Sequence, residues 1–366
     1  MKKKFISCGL ILVLFFICYN VNSQSLQSGF DKNEYKNLLC MSARISSDTT
    51  YLKDIPEPIG FNRVYQSPVM GLDNLWNLWI DTNNKTAVIS IRGTTVKQES
   101  WLANFYAAMV PAEGSLILGK QDTFAYKLAE NPKAAIHIGW LISMSYLSKD
   151  ILPKLDSCYT NGIKNFILMG HSQGGAITYL LTAYLYQLQK ENKIPTDIRF
   201  KTYCSAGPKP GNLFFAYDYE NITKNGWAYN VINSADWVPE TPISIQTLND
   251  FNNTNPFINA KTALRKQKFP KNILLRYVYN QLDKPTKKAQ RKYEKYLGKM
   301  ASKMIRNTLP NFTPPHYYKS NYYVRTGATI VLKPDEEYYK IYPDDEKKVF
   351  VHHFHPPYLY LIDKYE

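Results

Sequence analysis

The chain has 366 residues, with 45 Lys or Arg against 30 Asp or Glu and a formal net charge of +15 at pH 7. Its five cysteines are too few for a disulfide scaffold, so an ordinary apolar core must hold it, and a chain of this length buries one readily. The charge is uneven. Between Lys261 and Arg306 stand fifteen Lys or Arg against only Asp283 and Glu294, which leaves the rest of the chain near neutral and excludes a polybasic nucleic-acid binder throughout.

The chain begins Met1-Lys2-Lys3-Lys4, runs apolar from Phe5 through Cys18, and turns polar at Asn20, Asn22, Ser23 and Gln24. That order reads as a secretory signal peptide over residues 1–23, with export to the periplasm, the outer surface or the medium. The apolar run is shorter than the ~20 residues of a spanning helix. Cleavage leaves Cys40, Cys158 and Cys204, an odd number that allows at most one disulfide.

Residues 29–47 carry Tyr35, Leu38, Leu39, Met41 and Ile45 on one helical face. Residues 65–80 and 87–91, separated by Asp81-Thr82-Asn83-Asn84-Lys85, read as a hairpin feeding a buried β-branched strand. A partly helical stretch at Trp101-Leu102-Ala103-Asn104-Phe105 and a helix over 135–149 follow. Strands are expected over 164–169, 198–205 and 228–233, with a helix over 176–185 between the first two. This alternation predicts a mostly parallel α/β sheet with helices on both faces. Residues 244–315 break the rhythm and read as a basic helical insertion in one domain spanning 24–366. Within it, Tyr293, Leu297, Met300 and Met304 with a parallel row of lysines form an amphipathic helix over 287–309. A strand pair around Gly327 follows, then the closing run His352-His353-Phe354-His355-Pro356-Pro357-Tyr358.

The chemistry centres on Gly170-His171-Ser172-Gln173-Gly174, set between an apolar strand and a helix. A G-x-S-x-G in that place is a nucleophile elbow. The turn is sharp, small residues are needed on both sides, and the serine hydroxyl is presented at the top of the sheet. A serine needs a histidine to take its proton and an acid to orient that histidine. In this architecture the order is Ser, acid, His. Asp236, just past the 228–233 strand, is the best-placed acid, with Asp218 in reserve. Of the six histidines, His316, His352, His353 and His355 follow Asp236; His355 is the expected base and His353 the next choice. Pairing of His352 with His355 as metal ligands is a weaker alternative. The oxyanion donors are expected at Gln173, after the nucleophile, and at Thr94, in the loop after the 87–91 strand.

In combination these blocks resemble the class 3 lipases, the fungal triacylglycerol lipase type of α/β-hydrolase. The likeness extends over Ala87 to Thr94, Trp101-Leu102-Ala103-Asn104, Ile136-His137-Ile138-Gly139-Trp140, the elbow, Ser205-Ala206-Gly207-Pro208, Asn233-Ser234-Ala235-Asp236-Trp237-Val238-Pro239 and Tyr323-Val324-Arg325-Thr326-Gly327. The resemblance implies Ser172 as nucleophile, Asp236 as acid, and Thr94 with Gln173 as oxyanion donors. In that family an aromatic follows the histidine three positions later, as Tyr358 follows His355. The implied activity is hydrolysis of a lipid ester through an acyl-enzyme, with no metal or organic cofactor. A phospholipase A1, another esterase, or an inactive binding protein of the same fold are the competing expectations. The basic insertion suggests peripheral contact with an anionic membrane or lipid surface, and no nucleic-acid partner.

Overall fold

Ala87-Val88-Ile89-Ser90-Ile91 is apolar on both sides. Such a run becomes a central strand only if both faces are covered. A computed structural model describes residues 26–366 apart from Ser47 and Asn84, and there this segment is the middle of a three-layer α/β/α assembly. The expected signal peptide lies outside the described residues.

In chain order the elements are helices α1 (Lys32–Ala43) and α2 (Thr49–Leu52), then strands β1 (Phe61–Gln66), β2 (Trp76–Asp81) and β3 (Thr86–Ile91). Helix α3 (Gln98–Phe105) leads to β4 (Met109–Pro111), β5 (Glu113–Gly119), β6 (Asp122–Lys127) and β7 (Ala135–His137). Next come α4 (Ile138–Thr160), β8 (Asn165–His171), α5 (Gln173–Lys190), β9 (Arg199–Ser205), β10 (Gly211–Asn212), α6 (Leu213–Ile222) and β11 (Ala228–Asn233). The insertion holds α7 (Ala260–Arg265), α8 (Lys271–Glu294) and α9 (Ala301–Thr308). The chain closes with β12 (Tyr323–Val324), β13 (Ala328–Leu332), α10 (Glu336–Ile341) and α11 (His355–Lys364).

The main sheet runs β1-β2-β3-β8-β9-β11-β13. Strands from β3 to β13 are parallel, and β1 and β2 join antiparallel at one edge. This is the sheet of an α/β-hydrolase fold. Side chains alternate with the pleat. Ile89, Ile91 and Leu168 enter a core with α4 and α5, while Val88, Ile167 and Met169 enter one with α1 and α11. The hairpin β5–β6 and the small antiparallel sheet β12-β10-β7-β4 occupy the region after α3. Part of that region, 105–118, had no legible element in the sequence. Cys40, Cys158 and Cys204 are buried free thiols.

The C-terminal half of the insertion is packed. Ile305 and Ala301 enter the α4–α5 core, and Tyr293 packs on Met109, Ala135 and Tyr323. A π-helical turn at Lys295–Met300 lets the Leu297 carbonyl accept from the Ala108 N–H at 3.1 Å, a bond made outside the helix. Among the described residues no helix is long and apolar enough to cross a membrane.

Gly139, at the start of α4, is required by close approach: an added methyl would overlap the Ala103 carbonyl oxygen of α3. Gly139→Ala is therefore expected to destabilise the protein by about 1–3 kcal/mol through overpacking, read as a fall in the midpoint of thermal unfolding.

Candidate active site

Strand β8 ends at His171, and α5 begins at Gln173. Ser172 alone makes the reversal, with φ +61° and ψ −131°. A non-glycine residue there stores about 1–3 kcal/mol of strain, which the packing around it must overcome. That packing is backbone on backbone. A methyl at Gly170 would overlap the Gly174 carbonyl, and one at Gly174 would overlap the Ile91 carbonyl of β3. The elbow is fastened from the neighbouring strand too, since Ser172 N–H donates to the Ser205 carbonyl at 2.9 Å.

Ser172 Oγ lies 2.8 Å from His353 Nε2, and His353 Nδ1 lies 2.7 Å from Asp236 Oδ2. Asp236 is fully enclosed and also accepts from the Tyr358 hydroxyl at 2.8 Å and the Val238 N–H at 3.0 Å. An ionised carboxylate only accepts, so His353 Nδ1 carries the proton and Nε2 faces the serine as a base. Among the described residues, three donors on one buried carboxylate compensate its desolvation.

His353, and not the expected His355, joins Ser172 to Asp236. His355 is the first residue of α11 and lies partly buried against α1. Its Nδ1 lies 2.6 Å from the Tyr51 hydroxyl and its Nε2 3.2 Å from Ser42 Oγ. Burial, with the nearby His353, pushes its pKa down to about 3, so it stays neutral. The spacing to Tyr358 misled: that tyrosine reaches Asp236 from one turn into the helix, five residues after His353. The usable signal was Pro356-Pro357, which marks a helix start and leaves His353 in the turn before it. Asp218 instead caps a loop, accepting from the Glu130 and Asn131 N–H groups. His352 is held by Tyr338 and Asp344, apart from the partners of His355, and His316 is exposed.

His171 secures the base from behind, and its hydrogen bonds have one possible direction. Its Nε2 lies 2.7 Å from the His353 carbonyl, which can only accept. Burial and then the neighbouring His355 and His353 hold its pKa well below the ordinary range, so the ring is neutral and Nδ1 must accept. The Ser205 hydroxyl, 2.9 Å away, is that donor, and Tyr35 in turn donates to Ser205 at 2.6 Å. Ser205 thus holds the nucleophile through its carbonyl and the base through its hydroxyl.

The loop after β3 passes beside the elbow: a methyl at Gly93 would stand 3.3 Å from Ser172 Cβ. Thr94 and Gln173 are both held by Asn104 of α3. Its Nδ2 donates to Thr94 Oγ1 at 2.9 Å, while its Oδ1 accepts from Gln173 Nε2 at 2.8 Å and Trp140 Nε1 at 2.9 Å. With a lone pair taken by Asn104, the Thr94 hydroxyl keeps its own proton available. Gln173, at the first position of α5, has no intrahelical partner for its N–H. Two N–H groups and a hydroxyl at a helix N-terminus can receive a developing oxyanion. The far end of the loop is anchored on buried Asp73, which pairs with Arg92 and Lys97 and accepts from Thr95 Oγ1 at 2.6 Å. Neither Asn104 nor Asp73 was legible as a site residue, because each acts only through the loop it fixes.

A Ser-His-acid series at the carboxyl ends of parallel strands, on a strained strand–helix turn, is an arrangement chemically able to carry out nucleophilic hydrolysis. The sequence model "Lipase (class 3)" matches residues 88–245, so that region of the chain is similar to the class 3 lipases. A secreted mono- and diacylglycerol lipase of Fusarium solani is 27% identical over 163 residues, 44% of this chain and 41% of the relative. The match thus spans about two fifths of that relative's length. The Rhizomucor miehei lipase–propeptide complex has a TM-score of 0.42 at 20% identity, covering 59% of this chain and 65% of that one. Lip2 lipase of Yarrowia lipolytica has a TM-score of 0.44 at 18% identity, covering 60% and 77%.

Asn104→Ala is expected to lower kcat by about 10²-fold, the scale of one lost oxyanion donor, with KM nearly unchanged; steady-state kinetics on a soluble ester measure it. Burial alone would raise the Asp73 pKa, but the Thr95 hydroxyl, Lys97 and Arg92 outweigh it and hold it below the usual value. Its stabilising contribution is therefore complete above the ordinary carboxylate range and is lost as pH falls through the depressed value. Thermal midpoints measured against pH should fall more steeply on the acid side in wild type than in Asp73→Asn.

Proposed function

We propose that the protein is an exported serine carboxylic-ester hydrolase acting on lipid esters, in contact with anionic lipid surfaces. The hydrogen-bonded series Ser172–His353–Asp236 at the elbow carries this reading. Ser172 Oγ attacks the acyl carbonyl carbon while His353 Nε2 takes its proton, and Asp236 stabilises the imidazolium. The negative oxygen is received by the Thr94 and Gln173 N–H groups and the Thr94 hydroxyl. The carbon–alkoxy bond then breaks, and His353 returns the proton to the departing alcohol. Water repeats the sequence on the acyl-enzyme and releases the acid and Ser172. None of these steps calls for a metal or an organic cofactor.

An aromatic surface beside the serine supports an apolar acyl chain as substrate. Trp101 stacks on Phe105, Phe350 meets both Trp101 and Trp237, and Phe354 touches Phe350 and His353. Phe105, Trp237 and Phe354 are each about half exposed, an unusual cost for large rings unless a ligand covers them. The Fusarium relative, a secreted mono- and diacylglycerol lipase, points the same way, and its secretion agrees with export of this chain.

Hydrolysis of p-nitrophenyl esters of increasing acyl length tests the reading. Ser172→Ala and His353→Ala should each lose about 10⁴–10⁶-fold in kcat, the range seen for members of such a unit. His355→Gln should keep most of its activity and lose thermal stability instead. If His355→Gln is dead while His353→Ala stays active, the assignment of the base is overturned. A wild type inactive on every ester would overturn the hydrolase itself.

A further inference from the structure

The first three turns of α8 do nothing for the core. Ile273, Leu274, Tyr277, Val278 and Leu282 lie there 48–69% exposed, and Phe269, just before the helix, is 79% exposed. Spacings of four put Leu274, Val278 and Leu282 in one row and Ile273 with Tyr277 in a row beside it, so together they cover about half the circumference of the helix. Scattered exposed apolar side chains are ordinary, but a continuous row of this kind marks a contact surface. The helix expected from the sequence to be amphipathic, 287–309, turns Tyr293, Ala301 and Ile305 of its apolar side chains onto the body and leaves Tyr296, Met300 and Met304 exposed. The unpartnered surface is one segment earlier.

We propose that this face lies in the interfacial region of an anionic phospholipid bilayer and anchors the protein there. Charge selects the occupant. Lys268, Lys271 and Arg276 flank the row, and Lys284 and Lys288 continue its face toward the C-terminal end of the helix. Residues 261–306 hold fifteen cations and two acids. One of those acids, Asp283, is buried and paired with Lys287 at 2.7 Å. A second copy of this chain would bring the same cationic surface face to face with itself, so self-association through α8 is disfavoured. A helix with an apolar stripe bordered by Lys and Arg suits a membrane interface, where the stripe sinks into the headgroup–acyl boundary and the cations meet anionic headgroups.

The anchor is continuous with the catalytic body. α8 runs through the π-helical turn into α9, whose Ile305 is fully buried, and the Leu297–Ala108 bond fixes the turn just beyond α3. A bilayer bound at α8 is therefore held at a set place relative to the element that carries Asn104. The proposal rests on the lipid-ester reading for its purpose, but not for its test.

The full chain, freed of its leader, would be sedimented with phosphatidylcholine vesicles with and without phosphatidylglycerol, at low and high salt. Binding that requires phosphatidylglycerol and weakens with salt is expected. Leu274→Glu with Leu282→Glu should lower the partition coefficient by at least about tenfold, and Lys271→Gln with Lys284→Gln by about tenfold or more at low salt only. Circular dichroism and hydrolysis of a soluble short-chain ester should match wild type in both variants. No sedimentation of wild type with anionic vesicles overturns the anchor. So does concentration-dependent self-association that the Glu variants abolish. Vesicle binding without ester hydrolysis would sink the catalytic reading and leave the anchor standing.

Discussion

The backbone of Ser172 is the constraint on which the site depends. A residue with positive φ at the join of β8 and α5 survives only if its surroundings allow no relaxed alternative. Three backbone approaches supply that: Gly170 on Gly174, Gly174 on Ile91, and the Ser172 N–H on the Ser205 carbonyl. These approaches also bring β3, β8, β9 and α5 to one point. The close packing that makes the serine strained is the same packing that sets the loop of Gly93 and Thr94 beside it. Ser172 and the loop of Gly93 and Thr94 are thus positioned by one set of contacts.

His353 is held differently, by buried hydrogen bonds whose directions are fixed. The His353 ring is oriented by Asp236, and its backbone by His171. Asn233, at the end of β11, donates its N–H to the Tyr358 oxygen at 3.1 Å and its Nδ2 to the His352 carbonyl at 3.0 Å. Tyr358 then has its own proton for Asp236. Burial keeps His171 and His355 neutral, so neither competes with His353 for the proton nor adds positive charge beside an imidazolium. In a dry region such ordering is worth more than in water, and any orphaned partner costs more. This explains why five elements (α1, β8, β9, β11 and α11) converge behind one histidine.

The centre of the sheet was legible because its strands β3, β8, β9 and β11 are short, largely apolar and buried on both sides. The elbow and Asp236 were legible because their neighbours in sequence are also their neighbours in space. The base was not. His352, His353 and His355 are equivalent in type and separated by at most three residues, and only the start of α11 distinguishes them. Tyr35, Asp73, Asn104 and Ser205 lie tens of residues from the groups they hold. Their function is a matter of tertiary distance, which spacing along the chain does not encode. The β5–β6 hairpin escaped for another reason. Only Leu116, Leu118, Phe124 and Tyr126 of it enter the core, a weak alternation broken by Gly114 and Gly119.

Charge and burial divide the basic insertion in two. From Ala289 onward the body takes up Tyr293, Ala301 and Ile305 while Tyr296, Met300 and Met304 stay exposed, and the lysines there are what a solvated helix flank requires. Before Asp283 the apolar side chains are left over. The protein maintains them in water although Lys or Glu at Ile273, Leu274 or Leu282 would disturb nothing packed around them and would favour solubility. Stability therefore does not account for their presence, and neither does the reaction, since none of them touches the Ser172 network. A surface carrying both exposed apolar rows and cations is satisfied on both counts by an environment that is itself apolar beneath an anionic layer, which is the environment the proposed anchor supplies.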